Sequence, residues 1–89
     1  MMELLNDVEE RLKQAIAEAK NKYSIDLKAI AVRPPYPYEN LIAKFGYKIN
    51  GIAIRPDVRE CWVGDFTNGI VFEDACGGNL GWMPFKFYE

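Results

Sequence analysis

The chain has 89 residues, of which 49% are hydrophobic and 27% charged, with a net charge of −2 and a sequence pI near 5.1. These values predict one globular domain over residues 1–89 and leave little room for a deep, enclosed active site. No apolar run approaches the roughly 20 residues that cross a bilayer, and the N-terminus lacks the features of a signal peptide. We therefore expect a cytoplasmic protein without a membrane segment.

The residue types that are absent weigh against catalysis. The chain has no histidine, which is the commonest general base near neutral pH and the commonest zinc ligand, and it has one serine, Ser24, and one threonine, Thr67. Cys61 and Cys76 lack the spacing of a metal or redox motif, which indicates structural thiols. We predict no catalytic residue, no metal and no cofactor.

From Leu4 to Tyr23, apolar residues recur at spacings of three and four, which predicts a long amphipathic helix. Its polar face is mixed in sign, with two Glu-to-Lys pairs four residues apart, Glu9 with Lys13 and Glu18 with Lys22. A mixed polar face favours a helix packed on a core over one that binds a membrane surface.

Residues 24–32 follow as a candidate strand with apolar residues on both faces, which is typical of an interior strand. Three prolines in residues 33–40 then predict an extended path. Tyr36 and Tyr38 in this segment could form a loop that contacts a partner, or the segment could be a rigid crossover. Residues 40–46 favour a short helix between Asn40 as N-cap and Gly46, with the beginning of a strand as the alternative for Lys44 and Phe45.

Two Asn-Gly dipeptides predict two hairpins. A two-residue turn at Asn50-Gly51 pairs Ile49 with Ile52 and Tyr47 with Ile54, which predicts a core face made of these four residues. The opposite face then carries a basic patch that could bind an anion or an acidic partner, and its expected members are Lys44, Lys48, Arg55 and Arg59.

At Asn68-Gly69 a three-residue loop with a bulge keeps the aromatic residues together, because it pairs Phe66 with Ile70 and Gly64 with Phe72. Trp62, Phe66 and Phe72 then share one face, while Val71 and Glu73 lie on a mixed and partly exposed face. Asp65 would be the neighbour of Glu73 there, which makes a divalent-cation site the alternative to a solvated acidic face. Pro84 predicts that the last segment, with Trp82, is an edge strand or begins after the proline.

Together these patterns predict an α+β fold in which one long N-terminal helix packs on a four- or five-stranded, mainly antiparallel sheet with two hairpins. One helix covers one face of such a sheet, so we expect aromatic surface to remain exposed for a partner. We predict a non-enzymatic module of the inhibitor, immunity or adaptor kind that binds another protein or a second copy of itself. The expected contact residues are Tyr36, Tyr38, Trp62, Phe66 and Trp82.

Two alternatives remain open. A nucleic-acid-binding domain would use the basic patch with aromatic stacking, although the acidic net charge makes this partner the less favoured one. A small enzyme using Cys76 or carboxylates ranks last, because no histidine is present to activate the thiol.

Overall fold

The computed structural model describes residues 3–33, 36–57 and 69–88, with the backbone alone at Tyr36. In these parts of the chain the elements are, in order, α1 (Val8–Tyr23), a 3₁₀ turn (Ser24–Asp26), β1 (Ala29–Val32), α2 (Tyr36–Phe45), β2 (Lys48–Ile49), β3 (Ile52–Pro56), β4 (Gly69–Glu73) and β5 (Asn79–Pro84). The strands form one sheet in the order β2-β3-β1-β4-β5, with only β1 and β3 parallel. The predicted α+β class is confirmed.

Helix α1 forms where the apolar periodicity places it, although it begins at Val8 rather than near Leu4. Its predicted ion pair between Glu9 and Lys13 is present at 3.3 Å. The residues before α1 are held differently, because the N–H of Leu5 donates to the carbonyl of Phe87 at 2.9 Å. The two ends of the described chain therefore lie side by side.

The strand predicted over residues 24–32 is shorter than expected. It is confirmed for β1, which is central in the sheet and buried at all four residues. It is wrong for residues 24–26, which form a 3₁₀ turn directly after α1. Ser24 takes a φ of +55° there, and Ile25 is 83% exposed, so this part of the pattern belongs to a tight connection.

The extended path predicted for residues 33–40 is wrong from Tyr36 onward, because α2 begins at that residue. Pro37 lies in the first turn of α2, where a helix needs no N–H donor, so the proline does not oppose the helix. The short helix predicted to end before Gly46 is confirmed at that end: Gly46 has a φ of +76° and its N–H donates to the carbonyl of Ile42 at 2.9 Å. Asn40, the predicted N-cap, lies inside the helix instead.

The first hairpin is confirmed in its turn and in its register. Asn50 and Gly51 have φ values of +51° and +79°, as a type I′ turn requires, and Ile49 pairs with Ile52. The prediction that Tyr47 joins the core face is wrong, since its side chain is 69% exposed.

The second predicted hairpin is wrong. Phe72 of β4 pairs with β1 on one side and with Gly81 of β5 on the other, so no edge is left there for Gly64. Gly69 is a strand residue opposite Pro84 and not the left-handed residue of a loop. The second hairpin of the sheet instead joins β4 to β5. Trp62 and Phe66 lie outside the described residues.

The sheet has one face covered by helices. Ile30, Ile54 and Phe72 on this helix-covered face belong to the same buried cluster as Leu12 of α1 and Leu41 of α2. The side chains that alternate with them form what we call the second face: Ala29, Ala31, Ala53, Arg55, Val71, Glu73 and Trp82. The expected partial exposure of Val71 and Glu73 is wrong, because both are buried.

Candidate functional site

Of the five aromatic residues expected to bind a partner, the structure presents Trp82 as an exposed side chain. Trp82 lies on β5, the last strand in the order of the described sheet, and is 46% exposed. Tyr38 lies on α2 and packs, partly buried, against the core cluster. Tyr36 begins α2, and Trp62 and Phe66 are outside the described residues. The expected loop is wrong at Tyr38, which lies in a helix, and its contact with a partner stays a prediction.

The predicted basic patch is divided between two sides of the sheet. Lys44 ends α2, which packs on the helix-covered face, and its Nζ lies 5.6 Å from the centroid of the Phe45 ring. Lys48 and Arg55 belong to the strands, and Arg59 is outside the described residues. The expected grouping of Lys44 with Arg55 is corrected, because Arg55 points from the second face.

Arg55 forms an ion pair that spans the central strand. Its Nη1 lies 3.2 Å from Oε1 of Glu73, whose side chain is only 7% exposed. Arg55 is on β3 and Glu73 on β4, with β1 between them, so the guanidinium has to pass over β1. The residues of β1 in register with this pair are Ala31 and Ala29, and two such small side chains leave the space for the arginine. The ion pair therefore depends on alanine in the central strand.

The same ion pair involves Glu73, which the sequence left as one of two acidic residues of an alternative cation site. Glu73 accepts a hydrogen bond from Arg55, so its carboxylate is beside a positive charge, and Asp65 lies outside the described residues. Within residues 3–33, 36–57 and 69–88 no three acidic or cysteine side chains are arranged to hold a metal ion.

The turn between β4 and β5 is organised by Asp74. Its Oδ1 accepts hydrogen bonds from the backbone N–H groups of Cys76 at 2.9 Å and Gly78 at 2.7 Å. This Asx-type arrangement closes the hairpin and leaves Cys76 exposed as a free thiol at the tip. The side-chain carboxylate of Asp74 thus accepts hydrogen bonds from the backbone N–H groups that the turn leaves without a strand partner.

The pairing of β5 with β4 sets the direction of the backbone groups of Trp82. Pro84 pairs with Gly69 and has no N–H, so this pair is of the non-hydrogen-bonded type. The types alternate along an antiparallel ladder, so the pair of Trp82 with Val71, two residues away, is also non-hydrogen-bonded. The N–H and C=O of Trp82 therefore point away from β4, toward the edge of the described sheet.

The indole of Trp82 has a defined position above its neighbouring strand. It covers Gly69 so closely that a Cβ at that residue would lie 2.5 Å from the indole Nε1. Glycine at this position therefore lets the large side chain lie over β4 rather than project straight into solvent.

On the other side of β5, a shallow groove of about 240 Å³ runs between α1 and the residues that end the strand. Its floor includes Ala15, Met83 and Phe85, and its rim carries the charged side chains of Glu18 and Lys86. Arg11 closes one end: its Nη2 donates to the carbonyl of Lys86 at 2.6 Å, and its guanidinium lies 4.7 Å from the centroid of the Phe85 ring. Sequence reasoning missed this groove, since its two walls are about 70 residues apart and share no local pattern.

No helix in the described part of the chain combines the length and the apolar character needed to cross a membrane. Comparisons with protein-family models, with curated proteins and with solved structures find no match to this chain. The case for a function therefore rests on the geometry of the β5 edge.

Proposed function

We propose that the chain is a small, non-enzymatic protein-binding module that contacts an extended segment of its partner through the outer edge of β5. One observation carries the proposal: Trp82 is 46% exposed on an edge strand. Tryptophan is among the residues that contribute most to protein interfaces.

The edge supports a short contact. A bulge interrupts the pairing of β5 near Phe72 and Glu73, and Pro84 ends the strand without an N–H donor. Both features restrict strand addition, so we infer that side chains, and the indole of Trp82 above all, supply the contact. A bound segment would cover the exposed part of the Trp82 indole, and the groove beside Met83 would accept one of its side chains.

The proposal is tested by selecting displayed random peptides against the immobilised chain and measuring the affinity of the enriched peptides. We expect amide NMR shifts at residues 81–83 on binding, and an affinity loss of at least about tenfold in Trp82→Ala, because a central tryptophan typically dominates such contacts. The matched control is Ile25→Ala, which removes another exposed apolar side chain, 83% exposed, from a distant turn. Absence of enriched peptides, or shifts confined to residues away from β5, would contradict the proposal.

A further inference from the structure

The groove between α1 and the end of β5 has the size of a site for one side chain. Its volume is about 240 Å³. Sites for whole small molecules usually measure about 300 to 1,000 Å³, whereas an apolar cavity of about 150 Å³ already holds a benzene ring. The groove therefore has room for one large side chain and little more.

The floor of the groove is apolar and adaptable. Ala15 of α1 is small and buried, so it leaves depth between the helix and the strand. Met83 and Phe85 form the opposite side of the floor. Methionine is unbranched and flexible, so Met83 can adjust to the side chain that enters. Such a floor favours a large aliphatic or aromatic side chain over a polar one.

Two contacts fix how α1 lies along the groove. Arg11 donates to the carbonyl of Lys86, and the hydroxyl of Tyr23 lies against Gly81. Helix α1 therefore runs antiparallel to residues 81–86. Because helices rise about 1.5 Å and strands about 3.3 Å per residue, Glu18 lies about 10 Å from Arg11 along α1, level with Met83.

The charges of the groove therefore differ between its two ends. Lys86 and Arg11 form a positive end, and Glu18 forms a negative end. Lys86 and Glu18 are both exposed, whereas Arg11 is paired with Asp7 at 3.1 Å, so Lys86 supplies most of the positive charge. Gln14 lines the groove between the ends, where its amide can donate and accept hydrogen bonds.

An extended segment matches the floor and both ends at once. Alternate side chains of an extended chain point to the same side, so the residues two positions before and after the one in the groove also face the groove. Their backbones lie about 13 Å apart, which the reach of charged side chains matches to two ends about 10 Å apart. An acidic side chain suits the positive end at Lys86, and a basic side chain suits the negative end at Glu18.

We propose that the groove recognises an apolar side chain flanked, two residues away on its two sides, by one acidic and one basic residue in an extended segment of the partner protein. This inference rests on the proposed function and names the chemistry of the bound segment. The apolar side chain supplies most of the affinity, and the charges at the two ends select among partners.

The test begins with the sequences of the peptides enriched from the displayed random library. On the wild type we expect an apolar residue with an acid two positions to one side and a base two positions to the other. Glu18→Lys makes both ends of the groove positive, so selection against this variant should enrich peptides with acids on both sides. Circular dichroism checks that α1 remains folded in the variant.

Affinities then measure the charge match. A peptide enriched on the wild type is expected to bind Glu18→Lys about two- to tenfold less tightly, since an exposed attraction becomes repulsive. Replacing the base of that peptide by an acid should recover most of this loss on Glu18→Lys and weaken binding to the wild type.

The positive end is tested separately. Lys86→Glu is expected to weaken binding of the same peptide about two- to tenfold. The matched control is Lys48→Glu, which reverses an exposed charge on β2 at the opposite end of the strand order and should leave the affinity unchanged.

The peptide's apolar side chain is tested without altering the protein. Replacing it by alanine should lower the affinity at least about tenfold, because a central buried anchor dominates such contacts. The original peptide should shift the methyl NMR signals of Ala15 and Met83, which line the groove.

Peptides that shift the amide signals of residues 81–83 but lack the acid–apolar–base pattern would overturn this inference and leave the proposed function standing. The same holds for peptides whose affinity neither Glu18→Lys nor Lys86→Glu changes, or that leave the Ala15 and Met83 methyl signals unshifted. Absence of enriched peptides would overturn both.

Discussion

The two faces of the central strand are buried by different means. On the helix-covered face, Ile30 of β1 packs into a cluster of large apolar side chains from both helices. On the second face, β1 presents only Ala29 and Ala31, over which Arg55 reaches Glu73. One face of β1 therefore carries a large apolar side chain and the other carries two small ones beside an ion pair, so the two faces should respond in opposite ways to a change in side-chain volume.

The largest expected effect is on the helix-covered face. Ile30 is fully buried, so Ile30→Ala removes packed methylene groups and leaves a cavity. We expect the free energy of unfolding to fall by about 2 to 5 kcal/mol, measured by urea denaturation. Ile25→Ala makes the same chemical change at an exposed residue and should cost about 0.5 kcal/mol or less. Equal losses at the two positions would mean that the cluster does not depend on volume at β1.

On the second face, a larger side chain should lower the free energy of unfolding through overpacking. Ala31→Leu places a larger side chain in the path of Arg55, and we expect a loss of about 1 to 3 kcal/mol together with separation of Arg55 from Glu73. The control is Ala53→Leu, at a partly buried position on the same face beside Lys48, where the added volume meets solvent. If Ala31→Leu were neutral, space over β1 would not be what limits the second face.

The ion pair itself should contribute less to the free energy of unfolding. A double-mutant cycle of Arg55→Met and Glu73→Gln measures this contribution. Burial of Glu73 strengthens the attraction, whereas the 50% exposure of the Arg55 side chain lets solvent screen it. We expect a coupling energy of about 1 kcal/mol between the two substitutions. A coupling energy indistinguishable from zero would show that Arg55 and Glu73 contribute independently and that the second face is held by packing alone.

Features with a local sequence signal could be predicted, whereas features that depend on strand neighbours could not. Helix α1 and the Asn50-Gly51 turn were predictable because their signals are local: a 3.6-residue period in one case and a need for positive φ in the other. The same dipeptide at residues 68–69 led to a wrong prediction of strand pairing. Phe72 pairs with β1 on one side and β5 on the other, and local turn chemistry does not reveal which strands are neighbours. Pro37 contributed to the wrong prediction of an extended path, because a proline suits both an extended segment and the first turn of a helix.

The features of the candidate site also differ in whether the sequence could predict them. Trp82 could be singled out because an aromatic residue near Pro84 suggests an edge strand. The Arg55 ion pair could not, because its partners lie on strands that are not neighbours and are 18 residues apart. The groove beside α1 joins residues still farther apart. The sequence therefore predicts that Trp82 lies on an edge strand, but it predicts neither the ion pair nor the groove.

The smallest expected effect concerns Tyr88, where the C-terminal segment closes the helix-covered side. Tyr88 packs, partly buried, against the core cluster, and its hydroxyl accepts a hydrogen bond from Nδ2 of Asn40 at 2.9 Å. Burial raises the pKa of Tyr88 above its usual value near 10, and the hydrogen bond from Asn40 opposes part of this rise. The folded state therefore holds the phenolic proton more tightly than the unfolded state does.

The sign of the pH dependence follows from that difference. The contribution of Tyr88 to stability is complete below about pH 10 and is lost as the pH rises through the higher pKa of the folded state. Between about pH 9 and 11, the wild type should lose more unfolding free energy than Tyr88→Phe, which cannot ionise. Asn40→Ala should steepen the loss, because it removes the hydrogen bond that favours the phenolate. If the unfolding free energies of the wild type and Tyr88→Phe fell in parallel with pH, the C-terminal segment would open before Tyr88 titrates. The buried cluster of the helix-covered face would then not include the end of the described chain.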